Sequence, residues 1–370
     1  MCKIGLYCIY VMVEEQDMAE KHSGRKPDIM FLNIVFCLLV IFIHVASEVV
    51  TKAPKNTYIF TIVFLAQRLS YFVVPGFIVL SGAKLFINKP GLPSYPKYYL
   101  SRFLRIVIPY IFWSCLYYAW LCIKGGYSFN GYELLFGILK GDIWAHFYFV
   151  VVLIQFIILT PFWIYLYNRG NAAIHIAFAL IITIISSLYL PSILTSVFPS
   201  IPDIDLSNCF LSYQIYWTAG CLIGKYYKEF TSYLKHNVLT IVICFVLCGL
   251  AEGYLSLITY TAEPVWMGLF HMLYAMAAIL FFYMIAQLFT GKAKGLLVPL
   301  YLIDKSSYVL YLMHCLVIAV VDNQLDLRGI YDISDRFAYR TTLVYVICVV
   351  ICLLWRILCA AASKVAVRKK

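Results

Sequence analysis

The sequence predicts an all-α, polytopic membrane protein with about ten transmembrane helices and both termini in the cytosol. Three observations carry that prediction. Of the 370 residues 63% are hydrophobic and only 13% charged, too few charges for the surface of a water-soluble domain. Apolar runs of roughly 20 residues, the length that crosses a bilayer core of about 30 Å, recur along the whole chain. The basic residues are distributed by side: with the N-terminus inside, the inner connections and adjoining span ends hold 21 of the 29 Lys and Arg, the outer ones seven, and Arg68 lies within a span. That bias is the positive-inside pattern, and the reversed orientation opposes it. The net charge of +11 is therefore topological and implies no nucleic-acid partner.

Residues 1–27 read as a cytosolic tail. An apolar stretch from Ile4 to Val13 has no clear cleavage site and is followed by acidic residues, and Met18 is a second candidate start. Residues 28–362 form one ten-helix membrane domain, and 363–370 a basic cytosolic tail. The spans fall at 29–49, 58–86, 103–123, 143–167, 172–190, 209–227, 238–258, 265–289, 300–321 and 339–360. The ninth is the weakest, because Asp304 and Lys305 interrupt it; its start reads as an interfacial helix. Tyr98, Tyr99, Trp144, Tyr226 and Tyr227 mark span ends as interfacial anchors. The 13 cysteines lie mostly within spans, and Cys244/Cys248 and Cys348/Cys352 have helical spacing rather than that of a zinc site, so they read as packing residues and no metal is predicted. No two-fold repeat with broken helices at matching places marks a transporter.

Ionisable groups inside spans carry the functional signal, because burying them in lipid is costly. At 1.5 Å per residue, His44 lies about 22 Å from the inner end of the first span, with Glu48 one turn further on the same face. Glu252 falls about 21 Å from the inner face, Arg68 and His314 near the middle, His271 about 9 Å from the outer face, and His146 at the outer interface. Several spans thus offer a polar group to the middle and outer membrane. A neutral imidazole takes a proton at physiological pH, and a carboxylate orients the ring. Either Glu48 or Glu252 could be that carboxylate for His44. A lone buried histidine is equally at home as a hydrogen-bonded packing residue.

A second group opens the third span. Arg102 and Arg105, three residues apart, share a helix face at the cytosolic interface, with Lys97 nearby. Arginine binds phosphate bidentately, and the same cluster also suits lipid headgroups and topology.

The order of these motifs resembles the acyltransferase-3 family of integral membrane acyltransferases, from about Asp28 to the last span. "FLNIVFCLLVIFIHV" is similar to the opening helix with its essential histidine, here His44. "RLSYFVVPGFIVLSGAKLF" resembles the second span through Arg68, Pro75, Ser81 and Gly82, and "YYLSRFLRIVIPYIFWS" the RxxR-then-Pro segment through Arg102, Arg105 and Pro109. "HFYFVVVLIQFIILTPFW" looks like the fourth span, and "SSYVLYLMH" like the late segment ending in histidine, here Ser307, Tyr308, Tyr311, Leu312 and His314. One departure stands out: many members have arginine eleven residues before the histidine, where this chain has Asn33.

The resemblance implies O-acetylation: transfer of a short acyl group, commonly acetyl from acetyl-CoA, to a hydroxyl of an envelope polysaccharide or lipid-linked sugar, in the cytoplasmic membrane of a bacterium. It gives Arg102, Arg105 and Lys97 the phosphates of acyl-CoA, whose thioester then reaches toward His44. His44 acts as base or acyl carrier, Glu48 or Glu252 orients it, and Arg68, His146 and His314 hold the acceptor or polarise the carbonyl. Two other classes use the same buried groups differently: a transporter or flippase lining a polar path, and a membrane sensor that binds without turnover.

Overall fold

The computed structural model describes residues 26–87, 94–197, 208–261, 266–292 and 297–368. The tail expected at 1–27 lies almost wholly outside them. The described residues are helical, with no strand among them. The first helix, α1, is Pro27–Lys52; α2 is Tyr58–Ser70 and α3 is Val73–Ile87. Next come α4 (Tyr95–Arg102), a π-helical turn at Phe103–Val107, α5 (Ile108–Lys124), α6 (Gly131–Lys140), α7 (Tyr148–Ile158), α8 (Thr160–Asn168), α9 (Ala172–Leu188) and α10 (Leu190–Val197). After a 3₁₀ turn at Phe210–Tyr213 follow α11 (Gln214–Lys225), α12 (Tyr227–His236), α13 (Val238–Thr259), α14 (Trp266–Lys292), α15 (Leu297–Leu327) and α16 (Ile333–Arg368).

Each of the ten expected spans has a helical counterpart, but they are not ten uniform spans. Among the described residues seven helical segments are long and apolar enough to cross a membrane, with α2 and α3 counted as one and α4 to α5 as one, or eight if the bent pair α7 and α8 is one span. The 60° bend follows from Pro161, which has no N–H for the Ile157 carbonyl. Carbonyls at the break are taken by side chains instead: Tyr99 Oη donates to Ile158 O at 2.8 Å and Trp163 Nε1 to Phe156 O at 3.1 Å. The fifth expected span is the 17-residue α9. At the sixth, α11 has only 12 residues, about 18 Å of helix, because it begins after a 3₁₀ turn and stops at Tyr226. At the ninth, α15 runs unbroken through Asp304 and Lys305.

Two compact units divide the chain. The first comprises the described residues of Met1–Val73, Leu234–Tyr260 and Ala277–Lys370. There α1 packs against α2, α15 and α16, α15 against α16, and α2 against α13. Pro27 opens α1 at the first helical position, and Asp28 and Lys52 complement the dipole at its two ends. Its buried stripe includes Leu32, Phe36, Val40, Ile41, Val45 and Val49, while Phe36, Phe72 and Phe282 form an edge-and-stack aromatic cluster.

The second unit comprises the described residues of Val74–Tyr233 and Thr261–Met276. Its α3 and α11 approach backbone to backbone: a Cβ on Gly82 would lie 2.8 Å from Trp217 O, and one on Gly220 or Gly224 would overlap the backbone of Val79 or Ala83. The small-xxx-small pair Gly220 and Gly224 is thus a packing device, of the kind that lets membrane helices gain close contact where lipid supplies no hydrophobic drive.

Candidate active site

In the first unit, α1 and α15 bring two histidines together. The ring centroids of His44 and His314 are 5.1 Å apart. His314 is fully buried, whereas His44 keeps partial exposure and is the accessible member of the pair. His314 Nδ1 lies 2.6 Å from the carbonyl of Tyr311. A carbonyl only accepts, so Nδ1 carries the proton, and in the neutral ring Nε2 is left with its lone pair. Cys315 Sγ sits 3.3 Å from that Nε2. The donor atoms of His44, His314 and Cys315 lie within 4.8 Å of one another. Such a trio could hold a soft transition metal, though only by occupying the imidazole lone pairs that proton transfer needs.

The helical turn carrying His44 is gripped on three consecutive carbonyls. Gln67 Nε2, from α2, donates to Ile43 O at 2.7 Å; Ser47 Oγ donates to His44 O at 2.7 Å; Arg340 Nη1, from α16, donates to Val45 O at 3.1 Å. Surplus lone pairs on helix carbonyls make this possible without opening the helix.

Glu48 is one turn from His44, as the i,i+4 spacing requires, and its carboxylate is engaged by cations. Arg336 Nε donates to Oε1 at 2.9 Å, Lys52 Nζ to the same oxygen at 2.9 Å, and Arg340 Nη1 approaches Oε2 at 3.4 Å. Arg336 also pairs with the exposed Asp326 at 2.6 Å, and Arg340 Nε stands 3.0 Å from Asp322 Oδ1. The other candidate carboxylate has a cation as well. Arg68 Nε lies 3.3 Å from Glu252 Oε1 and donates to Ser256 Oγ at 3.1 Å, so Arg68 joins α2 to α13 over a fully buried acid. Each buried carboxylate thus has a cationic partner, whose removal would leave the acid uncompensated in low dielectric.

Asn33 and Asp304 complete the picture on α1 and α15, through a 2.6 Å hydrogen bond from Asn33 Nδ2 to Asp304 Oδ1. Nearer the start of α1, Gln287 Nε2 donates to Asp28 Oδ2 at 2.6 Å. Both acids are buried.

Lys97, Arg102 and Arg105 belong to the second unit, as do His146 and His271. Arg102 stacks over Tyr98 at 5.2 Å, and Lys97 and Arg105 are exposed. The π turn at Phe103–Val107, which carries Arg105, has a cause in the sequence. Pro109 has no N–H for the carbonyl of Arg105, four residues back, and the backbone widens so that Ile108 N donates to Phe103 O. His146 is buried beside Phe147 and Tyr117, with ring centroids 4.3 and 5.6 Å away.

The residues missed in the sequence are Arg336, Arg340, Asp322, Asp326 and Cys315. A signal for the first four was present: two acids at i,i+4 and two arginines at i,i+4 flank the short connection between α15 and α16.

The family described as "Acyltransferase domain" matches residues 28–361, nearly the whole chain. No curated protein and no solved structure gives a significant match. With the histidine of the first helix, the RxxR-then-Pro segment and the late histidine all in place on a helical membrane scaffold, the chain belongs to the acyltransferase-3 family and is a membrane acyltransferase.

Proposed function

We propose that this acyltransferase moves a short acyl group, acetyl from acetyl-CoA, to a hydroxyl of an envelope polysaccharide or lipid-linked sugar, with His44 as the general base. The observation that carries the assignment to His44 is its pairing with His314, whose Nδ1–H is committed to the Tyr311 carbonyl. His314 then has an acceptor nitrogen to offer, and a ring N–H of His44 directed toward it would put the lone pair of His44 on its other nitrogen, the one that takes a proton.

In the transfer step the acceptor oxygen gives its proton to His44 and bonds to the thioester carbonyl carbon. The carbon–sulfur bond then breaks, and the coenzyme A thiolate leaves with the proton returned by His44. A covalent variant, in which His44 carries the acyl group between donor and acceptor, conserves the same atoms in two steps. Arg68, held by Glu252, supplies a fixed positive charge for the acceptor or the developing oxyanion. The donor's phosphates are the natural load of Arg102, Arg105 and Lys97, with Lys97 and Arg105 exposed, Arg102 half-buried and Arg105 on the widened helical turn.

The test is full-length protein in proteoliposomes supplied with isotope-labelled acetyl-CoA and an isolated envelope-glycan fraction. Label on the glycan with wild-type protein, and its loss in His44→Ala at equal membrane abundance, is the expected result. Full activity in His44→Ala would remove the base assignment. Movement of glycan without label would favour a transport role.

A further inference from the structure

We infer that Arg340 is a positioning residue for acyl transfer, a guanidinium that ties the helix bearing His44 to the helix bearing His314. The inference rests on the reading of that histidine pair as the reacting centre.

The two imidazoles come from helices far apart in sequence, so their separation depends on how α1 and α15 are held at this level. Arg340 comes from a third helix, α16, and reaches both. Its Nη1 donates to Val45 O, the carbonyl next after His44, and approaches Glu48 Oε2 at 3.4 Å. Its Nε stands 3.0 Å from Asp322 Oδ1, an ion pair without hydrogen-bond alignment, on α15 two turns beyond His314. From the other side Gln67 grips Ile43 O, so His44 is bracketed by two side-chain donors from neighbouring helices. Only a planar, always charged fork with several donors spans such acceptors at once; an ammonium on a flexible stem does not.

The charge balance argues for holding rather than for binding a ligand. Among the described residues the cluster sets three cations, Lys52, Arg336 and Arg340, against three acids, Glu48, Asp322 and Asp326. A neutralised network has no surplus charge to offer a phosphate or a substrate carboxylate. Arg340 is only 5% exposed, which leaves it little contact with anything outside the bundle. What it can do is fix geometry, and displacement of a reacting group by about 1 Å costs on the order of 10²-fold in rate.

The test compares Arg340→Gln, Arg340→Lys and Arg336→Gln in the same proteoliposome assay, reading kcat, the KM for acetyl-CoA and the thermal unfolding midpoint. Arg336 shares Glu48 but makes neither the Val45 nor the Asp322 contact, so it reports the cost of loosening the network alone. For Arg340→Gln, kcat is expected to fall by roughly tenfold or more with KM changed by less than about twofold, and Arg340→Lys is expected to fall between it and wild type. Arg336→Gln is expected to lower the midpoint as much while losing less kcat. The positioning role is overturned if Arg340→Gln loses no more kcat than Arg336→Gln, or loses KM instead. Should Arg340→Gln not fold, Arg340→Lys at normal abundance decides: wild-type kcat overturns the role. An inactive His44→Ala beside a fully active Arg340→Gln removes the positioning role alone, and an active His44→Ala removes the centre and the role with it.

Discussion

Asn33 Nδ2 donates a 2.6 Å hydrogen bond to Asp304 Oδ1, joining α1 to α15 across 271 residues of sequence. Two oddities of the chain explain each other here: an asparagine where many family members carry arginine, and an acid inside an apolar span. A carboxylate in a helix bundle needs a donor, and the amide of Asn33 is one. Asn33→Leu is expected to destabilise the protein by about 1–3 kcal/mol, the cost of taking this donor from a buried acceptor, seen as a lower unfolding midpoint in detergent. An unchanged midpoint would show that other groups satisfy Asp304.

His314→Ala removes the ring whose centroid lies 5.1 Å from that of His44, so acyl transfer is expected to drop by roughly 10²-fold at normal abundance. His314→Gln is expected to regain little, because an amide cannot take the same tautomeric role. Single-turnover rates with labelled acetyl-CoA measure this directly, and a rate near wild type for both variants would exclude His314 from the reacting pair.

Glu48→Gln takes the anion away from two buried arginines. Breaking a buried pair by removing one partner costs about 3–5 kcal/mol, so this variant is expected to be among the least stable single changes in the protein. Thermal melts in detergent read it. A loss below about 1 kcal/mol, the range of surface pairs, would mean that the site is open to water.

Arg102→Ala and Arg105→Ala are expected to raise the KM for acetyl-CoA by about tenfold each, with kcat much less affected, since charge-assisted hydrogen bonds to phosphate contribute roughly 1.5–3 kcal/mol. Raising the ionic strength should weaken wild-type donor binding and the double variant's much less. A KM unaffected by either substitution would assign the pair to lipid headgroups instead.

Prolonged treatment with a chelator is expected to leave transfer within about twofold of its starting rate, because a metal on His44, His314 and Cys315 would occupy the lone pair the base needs. Loss of activity restored by one specific divalent ion would reverse that expectation and recast the trio as a metal centre.

Much of this architecture is legible in the chain itself. Apolar length gives the helices, because a backbone in lipid must satisfy its own hydrogen bonds. Pro109 and Pro161 mark the π turn and the bend, since each withholds an N–H from a particular carbonyl. His44 and Glu48 share a face by arithmetic, and the motif order points to the family.

What the chain could not reveal is which residues meet across helices. The faces of α13 and α16 turned outward are as apolar as those turned inward, so periodicity does not announce the packing face as it does in a soluble bundle. The sequence determined that His44 and Glu48 are neighbours on one helix. Only the tertiary structure decided that Glu48 engages Arg336 and Arg340, 288 and 292 residues away, and that the neighbouring imidazole is His314. The physical reason is that helical spacing fixes the direction of a side chain, whereas its partner is set by which helix the packing brings alongside.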